Sequence, residues 1–317
     1  MTYIIDVSII IPVYYNELSI ESTFNLIKTE VITKYSEKKF EIIMIDDGSK
    51  DNSFYVMQKI FDLNPNLVRL VKFTRNFGQV PAIYCGYQIA RGKYITTISA
   101  DLQDPPSLIC DMINILETTD FDIVCCNRID REEGFVRKLT SRLFYYLIKK
   151  LSFKNMPLGG FDFVSISSRV RDVLLRNKES NPFWQGQILW TGFKIHFIPY
   201  VRQKREHGKS KWTFSKKLKY LIDGVLSYSY FPIRFISFCG LLTFLIGIIY
   251  SIIIIIQYLL GNYPFQGWTP IMILILLIGG LQLFMLGIIG EYLWRTLDQT
   301  RQRELFIIDV IVEKNSK

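Results

Sequence analysis

The sequence predicts an α/β protein, a mainly parallel sheet covered by helices on both faces, followed by two helices long enough to cross a membrane. Three observations carry this. Apolar, β-branched runs alternate with stretches of helical apolar spacing through residues 7–126, and strands that are apolar end to end belong to parallel sheets buried on both faces. Three of those runs stop at polar clusters, as they do where a sheet binds a ligand beyond its carboxyl edge. Two stretches, 236–260 and 271–293, carry no charge until Glu291. At 1.5 Å per residue such stretches reach roughly 35 Å, enough for a ~30 Å hydrocarbon core.

The elements follow in order. Val7 to Ile11 is a strand closed by Pro12, and Tyr14 to Glu17 form the loop beyond it. Ile20, Phe24, Ile27 and Val31 set one face of a helix over 19–34. A second strand, 41–45, runs into Asp46-Asp47-Gly48-Ser49. Asp51 or Ser53 caps the next helix, with Val56, Ile60 and Leu63 inward. A strand over 67–73 ends at Thr74-Arg75-Asn76-Phe77-Gly78. A helix over 79–90 is closed by Gly92 as a left-handed cap. The strand at Ile95 ends at Asp101-Leu102-Gln103-Asp104, then a helix over 107–116 leads to a strand over 121–126.

Composition narrows the function classes. The net charge of +9 fits nucleic acid, anionic lipid or phosphate-bearing substrates. Nucleic acid fits least, because the basic residues cluster beside apolar segments. With only two histidines the chain gives little support to a His-based metal site or triad, and five cysteines without a CxxC pair read as reduced, mostly buried thiols of a cytosolic compartment. The start, MTYIIDVSIIIP, lacks the charged region and cleavage site of a signal peptide. Neither GxGxxG nor GxxxxGK[ST] occurs, so a nucleotide would be held by another device.

Beyond Phe135 the pattern turns membrane-directed. A helix over 139–152 gathers Leu139, Leu143, Phe144, Leu147 and Leu151 on one face, and one over 214–228 gathers Phe214, Leu218, Leu221, Ile222 and Val225 opposite Lys216, Lys217 and Lys219. Such faces suit a membrane surface or an ordinary core. The link over 257–270 has no Lys or Arg, whereas Lys216, Lys217, Lys219 and Arg234 flank one side and Arg295, Arg301 and Arg303 the other. This places both termini in the cytoplasm. The expected organisation is a catalytic domain over 1–212, a juxtamembrane helix over 213–230, two spanning helices within 233–295, and a tail over 296–317.

Residues 95–106, ITTISADLQDPP, set oxygen ligands where a buried strand is forced to turn. That suits a hard cation such as Mg²⁺ or Mn²⁺, or is an acidic turn and no more. Together with Ile10-Ile-Pro-Val-Tyr-Tyr-Asn-Glu17, Ile45-Asp-Asp-Gly-Ser-Lys-Asp51, Thr74-Arg-Asn-Phe-Gly78, Gly160-Phe-Asp-Phe163 and Arg205-Glu-His-Gly-Lys-Ser-Lys-Trp212, the chain resembles the family-2, GT-A (Rossmann-like) glycosyltransferases that act on polyisoprenyl phosphates. The resemblance covers nearly the whole chain. It implies that Pro12, Tyr14, Glu17, Asp46, Asp47, Asn76 and Ala100 line a nucleotide sugar. It also implies that Asp101 with Gln103 holds a divalent metal, that Asp162 and Arg128 lie near the reacting centre, and that Arg137, Arg202, Arg205, Ser210 and Lys211 bind the acceptor phosphate. One departure stands out: the family has Asp-x-Asp where this chain has Ser99-Ala100-Asp101.

The implied activity is inverting transfer from a nucleotide sugar, a UDP-sugar by resemblance, to undecaprenyl phosphate at the cytoplasmic face of the inner membrane, for cell-envelope glycan modification. The alternative is a catalytically degenerate scaffold of the same fold. A processive synthase fits less, since no QxxRW occurs. The β-branched tail, 304–312, reads as a strand able to join a neighbouring sheet, which with the resemblance implies a homo-oligomer, a tetramer.

Overall fold

The computed structural model describes residues 4–131, 144–177, 179, 182–203, 222–260 and 269–314. Strands β1 (Ile5–Val13), β2 (Phe40–Asp46), β3 (Val68–Phe73), β4 (Gly92–Thr97), β5 (Ile123–Arg131), β6 (Phe161–Ser167), β7 (Ile195–Arg202) and β8 (Ile308–Val312) form one sheet, in the order β7-β5-β6-β4-β1-β2-β3-β8. The pairs β1–β2, β1–β4, β2–β3 and β5–β7 are parallel, while β6 and β8 run against their neighbours. The expected mainly parallel sheet is therefore present, and it is mixed. Every residue of β2 is buried, as an internal strand covered on both faces requires. Glu41 is buried there because Ser8 Oγ at 2.6 Å, the Arg91 N–H at 2.6 Å and Arg69 Nη1 at 3.3 Å all serve its carboxylate.

Helices α1 (Ile20–Ile27), α2 (Ser53–Leu63), α3 (Gln79–Ile89), α4 (Leu108–Thr118), α5 (Ser168–Arg176) and α6 (Trp184–Trp190) cover the sheet. The helix expected over 19–34 is α1 continued by one π-helical turn, Lys28–Ile32. Two details differ from expectation. Pro12 does not end β1, because Ile10 faces β4 by accepting the Ile98 N–H, so the donor Pro12 lacks falls beyond the end of β4. Gly92 is no helix cap; it starts β4, and its N–H donates to Ser8 Oγ at 2.8 Å.

The order of strands decides where a ligand can bind. From β1 the chain moves to β2 and β3 on one side, then returns to place β4 on the other. This reversal opens a crevice between the carboxyl ends of β1 and β4. Because β6 is antiparallel to β4 and β5, its first residues lie at that same edge.

The chain divides into two units, Met1–Asp223 with Glu304–Lys317, and Gly224–Arg303. The second holds α7 (Phe231–Leu259) and α8 (Thr269–Thr300), of 29 and 32 residues. The first starts earlier than the expected 236–260 and ends at Leu259, and the second extends past 271–293 at both ends. Glu291 does not end α8, since Arg295 Nη2 pairs with it at 3.1 Å, one turn on. Both helices are long and apolar enough to cross a membrane, and their side chains are largely exposed, Phe238 at 62% and Leu283 at 71% among them.

Of the helix expected over 139–152, residues 144–151 are described, and they bury Tyr145 and Ile148 rather than the Phe144, Leu147 and Leu151 face. Of the helix over 214–228, residues 222–228 are described and helical. The tail strand forms, but as β8 on this chain's own β3. Glu313 pairs with Arg69 and Arg91 at 3.0 Å, and Phe306 stacks on Phe73 at 5.1 Å. The homo-oligomer inferred partly from a tail strand reaching a neighbour loses that support. Deleting residues 304–314 turns β3 into an edge strand. Amide exchange in Val68–Phe73 should then accelerate by at least about tenfold, the effect of losing roughly 1.4 kcal/mol of local stability; unchanged protection would show that β8 does not close the sheet.

Candidate functional site

The carboxyl edge is assembled by hydrogen bonds between loops that are far apart in sequence. After β1, Tyr15 takes a left-handed conformation (φ 56°), and its N–H donates to Ser49 Oγ at 3.0 Å. Asn16 N–H donates to Ser53 Oγ at 2.9 Å, and Glu17 Oε2 accepts the Asn52 N–H at 2.9 Å. The loops after β1 and β2 are thus one piece. The loop after β4 is joined to them through the Ala100 carbonyl, which accepts from Ser19 Oγ at 2.6 Å, Thr23 Oγ1 at 3.2 Å and Asn16 Nδ2 at 3.4 Å.

Asp46 and Asp47 lie beneath this surface. Asp46 is fully buried, and burial raises its pKa despite the hydrogen bonds from Ser49. Asp47 Oδ1 accepts the Phe77 N–H at 2.7 Å, and Oδ2 accepts Asn76 Nδ2 at 2.7 Å and the Gly78 N–H at 2.9 Å. Both carboxylates, which the sequence implied would line a nucleotide sugar, are buried at the end of β2 and engaged by neighbouring loops. Asp47 instead holds the loop after β3 against the loop after β2. Gly48 makes that approach possible: it sits at φ +68°, and a Cβ there would lie 2.7 Å from the Asn76 backbone nitrogen. Pro12, Tyr14 and Glu17, at and beyond the end of β1, are partly exposed, and Asn76, beyond β3, is exposed.

At the β4 end the Ser99 hydroxyl lies 2.8 Å from Asp101 Oδ1 and 2.6 Å from Asp104 Oδ2. Gln103 N–H also approaches Asp101 Oδ1 at 3.3 Å, and Leu102 is left-handed (φ 59°) to allow the turn. Gln103 Nε2 donates to the Gln203 carbonyl at 3.1 Å, tying this turn to the end of β7. Asp104, 2% exposed, accepts the Tyr200 hydroxyl at 2.5 Å and stands 3.4 Å from Arg202 Nε. Among the described residues no three carboxylate, imidazole or thiol groups converge as a metal cage. The donor types on this turn, one carboxylate from Asp101 and one side-chain amide from Gln103, are compatible with Mg²⁺ or Mn²⁺, which take one or two carboxylates and complete their shell with substrate phosphate and water.

Next to it, buried Arg128 forms an ion pair with Asp162, whose other oxygen accepts Gln185 Nε2 at 2.9 Å. Burial works against the Arg128 charge, but Asp162, Tyr200, Asp104 and Tyr145 together hold it firmly protonated. Gly160 (φ +64°) packs under the Tyr145 ring, where a side chain would collide, and so delivers Asp162 to the edge. The Asp162 side chain keeps 37% exposure while Arg128 keeps 4%, so the carboxylate faces outward and the guanidinium supports it.

The structure therefore brings Pro12, Tyr14, Glu17, Asn76, Asp101, Gln103, Arg128, Asp162 and Arg202 to one edge. Arg137, Arg205, Ser210 and Lys211 lie outside the described residues. Sequence reasoning missed Ser19, Gln185 and Tyr200, which carry no local motif, and the role of Asp104, for which the signal was a second acid three positions from Asp101.

The glycosyl transferase family 2 profile matches residues 8–175. An uncharacterized glycosyltransferase of Bacillus subtilis, YkcC, is 36% identical over 96% of this chain and 93% of its own length. The bactoprenol glucosyl transferase of Shigella phage SfV is 31% identical over 95% of this chain and 97% of its own. Among solved structures, the glucosyl-3-phosphoglycerate synthase of Mycobacterium tuberculosis superposes with a TM-score of 0.49 at 19% identity, covering 70% of this chain and 78% of that one.

Replacing Asp47 by Asn leaves at least one N–H of the β3 loop facing another N–H. Each lost bond to a charged acceptor is worth about 1.5–3 kcal/mol, so Asp47→Asn should lower Tm in detergent and accelerate exchange at residues 76–78. An unaltered Tm would remove the bracing role.

Proposed function

The chain belongs to glycosyl transferase family 2, and from that premise we propose that it transfers a sugar from a nucleotide-sugar donor, a UDP-sugar, to a polyprenyl phosphate in the membrane. The observation that carries this reading is similarity over nearly the whole length, both apolar helices included, to proteins named bactoprenol glucosyl transferases. Residues 1–212 are the catalytic domain. The two helices anchor it as a multi-pass protein of the inner membrane with both termini cytoplasmic, supported by the Lys and Arg flanks.

Pro12, Tyr14, Glu17 and Asn76 take the base and ribose in the crevice between β1 and β4. Asp101 with the Gln103 amide oxygen holds a divalent ion, which supplies Lewis-acid stabilisation of the departing diphosphate. Arg202, with Arg137, Arg205, Ser210 and Lys211, takes the acceptor phosphate, since arginine matches phosphate oxygens bidentately and lysine adds a point charge. Asp162, held by Arg128 and Gln185, presents negative charge to the oxocarbenium-like carbon that develops as the glycosidic bond breaks. An oxygen of the acceptor phosphate attacks that carbon from the face opposite the nucleotide, which inverts the configuration. The second pKa of a phosphate monoester is about 6, so the nucleophile is already anionic and no strong base is needed. That agrees with a chain holding only two histidines.

Two outcomes follow. Asp101→Asn, with folding intact, should lower transfer by about 10²–10³, the usual cost of removing one preorganised stabiliser of developing charge; retained activity would remove Asp101 from the site. Transfer should also rise with pH through about 6 and then level, as the acceptor takes its second charge. A rate that falls across that interval would contradict the phosphate nucleophile.

A further inference from the structure

Asp104 is the most deeply buried acid of the carboxyl edge after Asp46, and the proposed mechanism leaves it without a task. Its surroundings are specific. One oxygen accepts the Tyr200 hydroxyl at 2.5 Å and lies 3.4 Å from Arg202 Nε; the other lies 2.6 Å from the Ser99 hydroxyl. Ser99 in turn reaches Asp101 at 2.8 Å. The Arg202 contact has an ion-pair separation without hydrogen-bond alignment, so charge rather than a directed bond holds the guanidinium there. Asp104 thus touches, directly or through one hydroxyl, the carboxylate assigned to the donor and the guanidinium assigned to the acceptor.

We propose that Asp104 is a positioning residue that sets Arg202 for the acceptor phosphate and, through Ser99, sets Asp101 for the donor diphosphate. The proposal rests on the reading of the site given above. Two features support it. A buried carboxylate is costly unless its oxygens are served, and here the serving groups are Tyr200, Arg202 and Ser99, which come from β7 and the β4 turn. The Ser99 hydroxyl has one proton for two carboxylates. When Asp101 is engaged by the donor, that proton goes to Asp104; when it is not, the two acids share it. A carboxylate at 99 would instead set a third negative charge between two others. Ser99 is on this account a working bridge and not the relic of a lost ligand.

The test uses full-length protein in detergent with a short-chain prenyl phosphate and the nucleotide UDP. Asp104→Asn keeps the shape and removes the charge opposite Arg202. The KM for prenyl phosphate should rise about tenfold, the effect of losing one charge-assisted contact, and UDP affinity should fall by a smaller factor, because Ser99 stands between Asp104 and Asp101. Tyr200→Phe, which removes one hydroxyl, should move acceptor KM in the same direction and serves if Asp104→Asn does not fold. Ser99→Ala should lower kcat and Ser99→Thr, which keeps a hydroxyl, should restore it; a merely structural Ser99 would tolerate both alike. Calorimetric binding of prenyl phosphate reads the same difference without turnover. Equal acceptor affinity in wild type and in folded Asp104→Asn or Tyr200→Phe overturns the proposal while leaving the transferase reading intact. A wild-type chain that binds no prenyl phosphate overturns both.

Discussion

A carboxylate buried at the end of a strand must find donors; the carboxyl edge of this sheet meets that demand at Asp47 and Asp104, and supports the part-exposed Asp162 in the same way. Asp47 is served by Asn76, Phe77 and Gly78, Asp104 by Tyr200, Ser99 and Arg202, and Asp162 by Arg128 and Gln185. Each set crosses between elements: the loop after β2 is tied to the loop after β3, the turn after β4 to the end of β7, and the start of β6 to β5 and α6. Hydrogen bonds to charged groups are the strong ones in proteins, and losing one partner leaves the other buried without compensation. An edge made this way is rigid before any substrate arrives, the condition under which fixed dipoles and charges stabilise developing charge most effectively.

The same logic assigns labour within the site. Groups with exposed surface, such as Tyr14, Asn76 and Asp162, are available to ligands; groups beneath them, such as Asp46, Asp47 and Arg128, hold the exposed ones in place. The chemistry asks little of a base when the nucleophile is a phosphate, and the edge offers charge and position instead. Two helices long and apolar enough to cross a membrane are what the proposed acceptor, a lipid phosphate, would call for.

Much of this was legible in the sequence. Alternating apolar runs gave β1 to β5 and their helices because parallel strands must be apolar on both faces, and the two long uncharged stretches form the two long apolar helices. The antiparallel strand β6 was not separable from a loop by periodicity, and β7 carries a proline, Pro199, inside it. Site residues within motifs were found, whereas their division into ligand-facing and supporting groups was not, because burial depends on neighbours that meet only in the fold. Asp46 and Asp47 show this most clearly: nothing in the sequence of two adjacent acids at a strand end tells that both are buried and that one braces the loop after β3. Gln185 and Tyr200 were invisible, since a glutamine on a short helix and a tyrosine in a strand acquire meaning only from the acids they reach.

The most direct test of the account is transfer of label from a panel of nucleotide sugars into chloroform-extractable lipid, with membranes holding this chain and undecaprenyl phosphate, with and without EDTA. The account predicts label from one donor, lost on chelation, which would also show that Asp101 suffices beside Ser99. No label from any donor, with the protein folded and the lipid present, would contradict it and leave a scaffold that has kept the fold of a glycosyltransferase without the reaction.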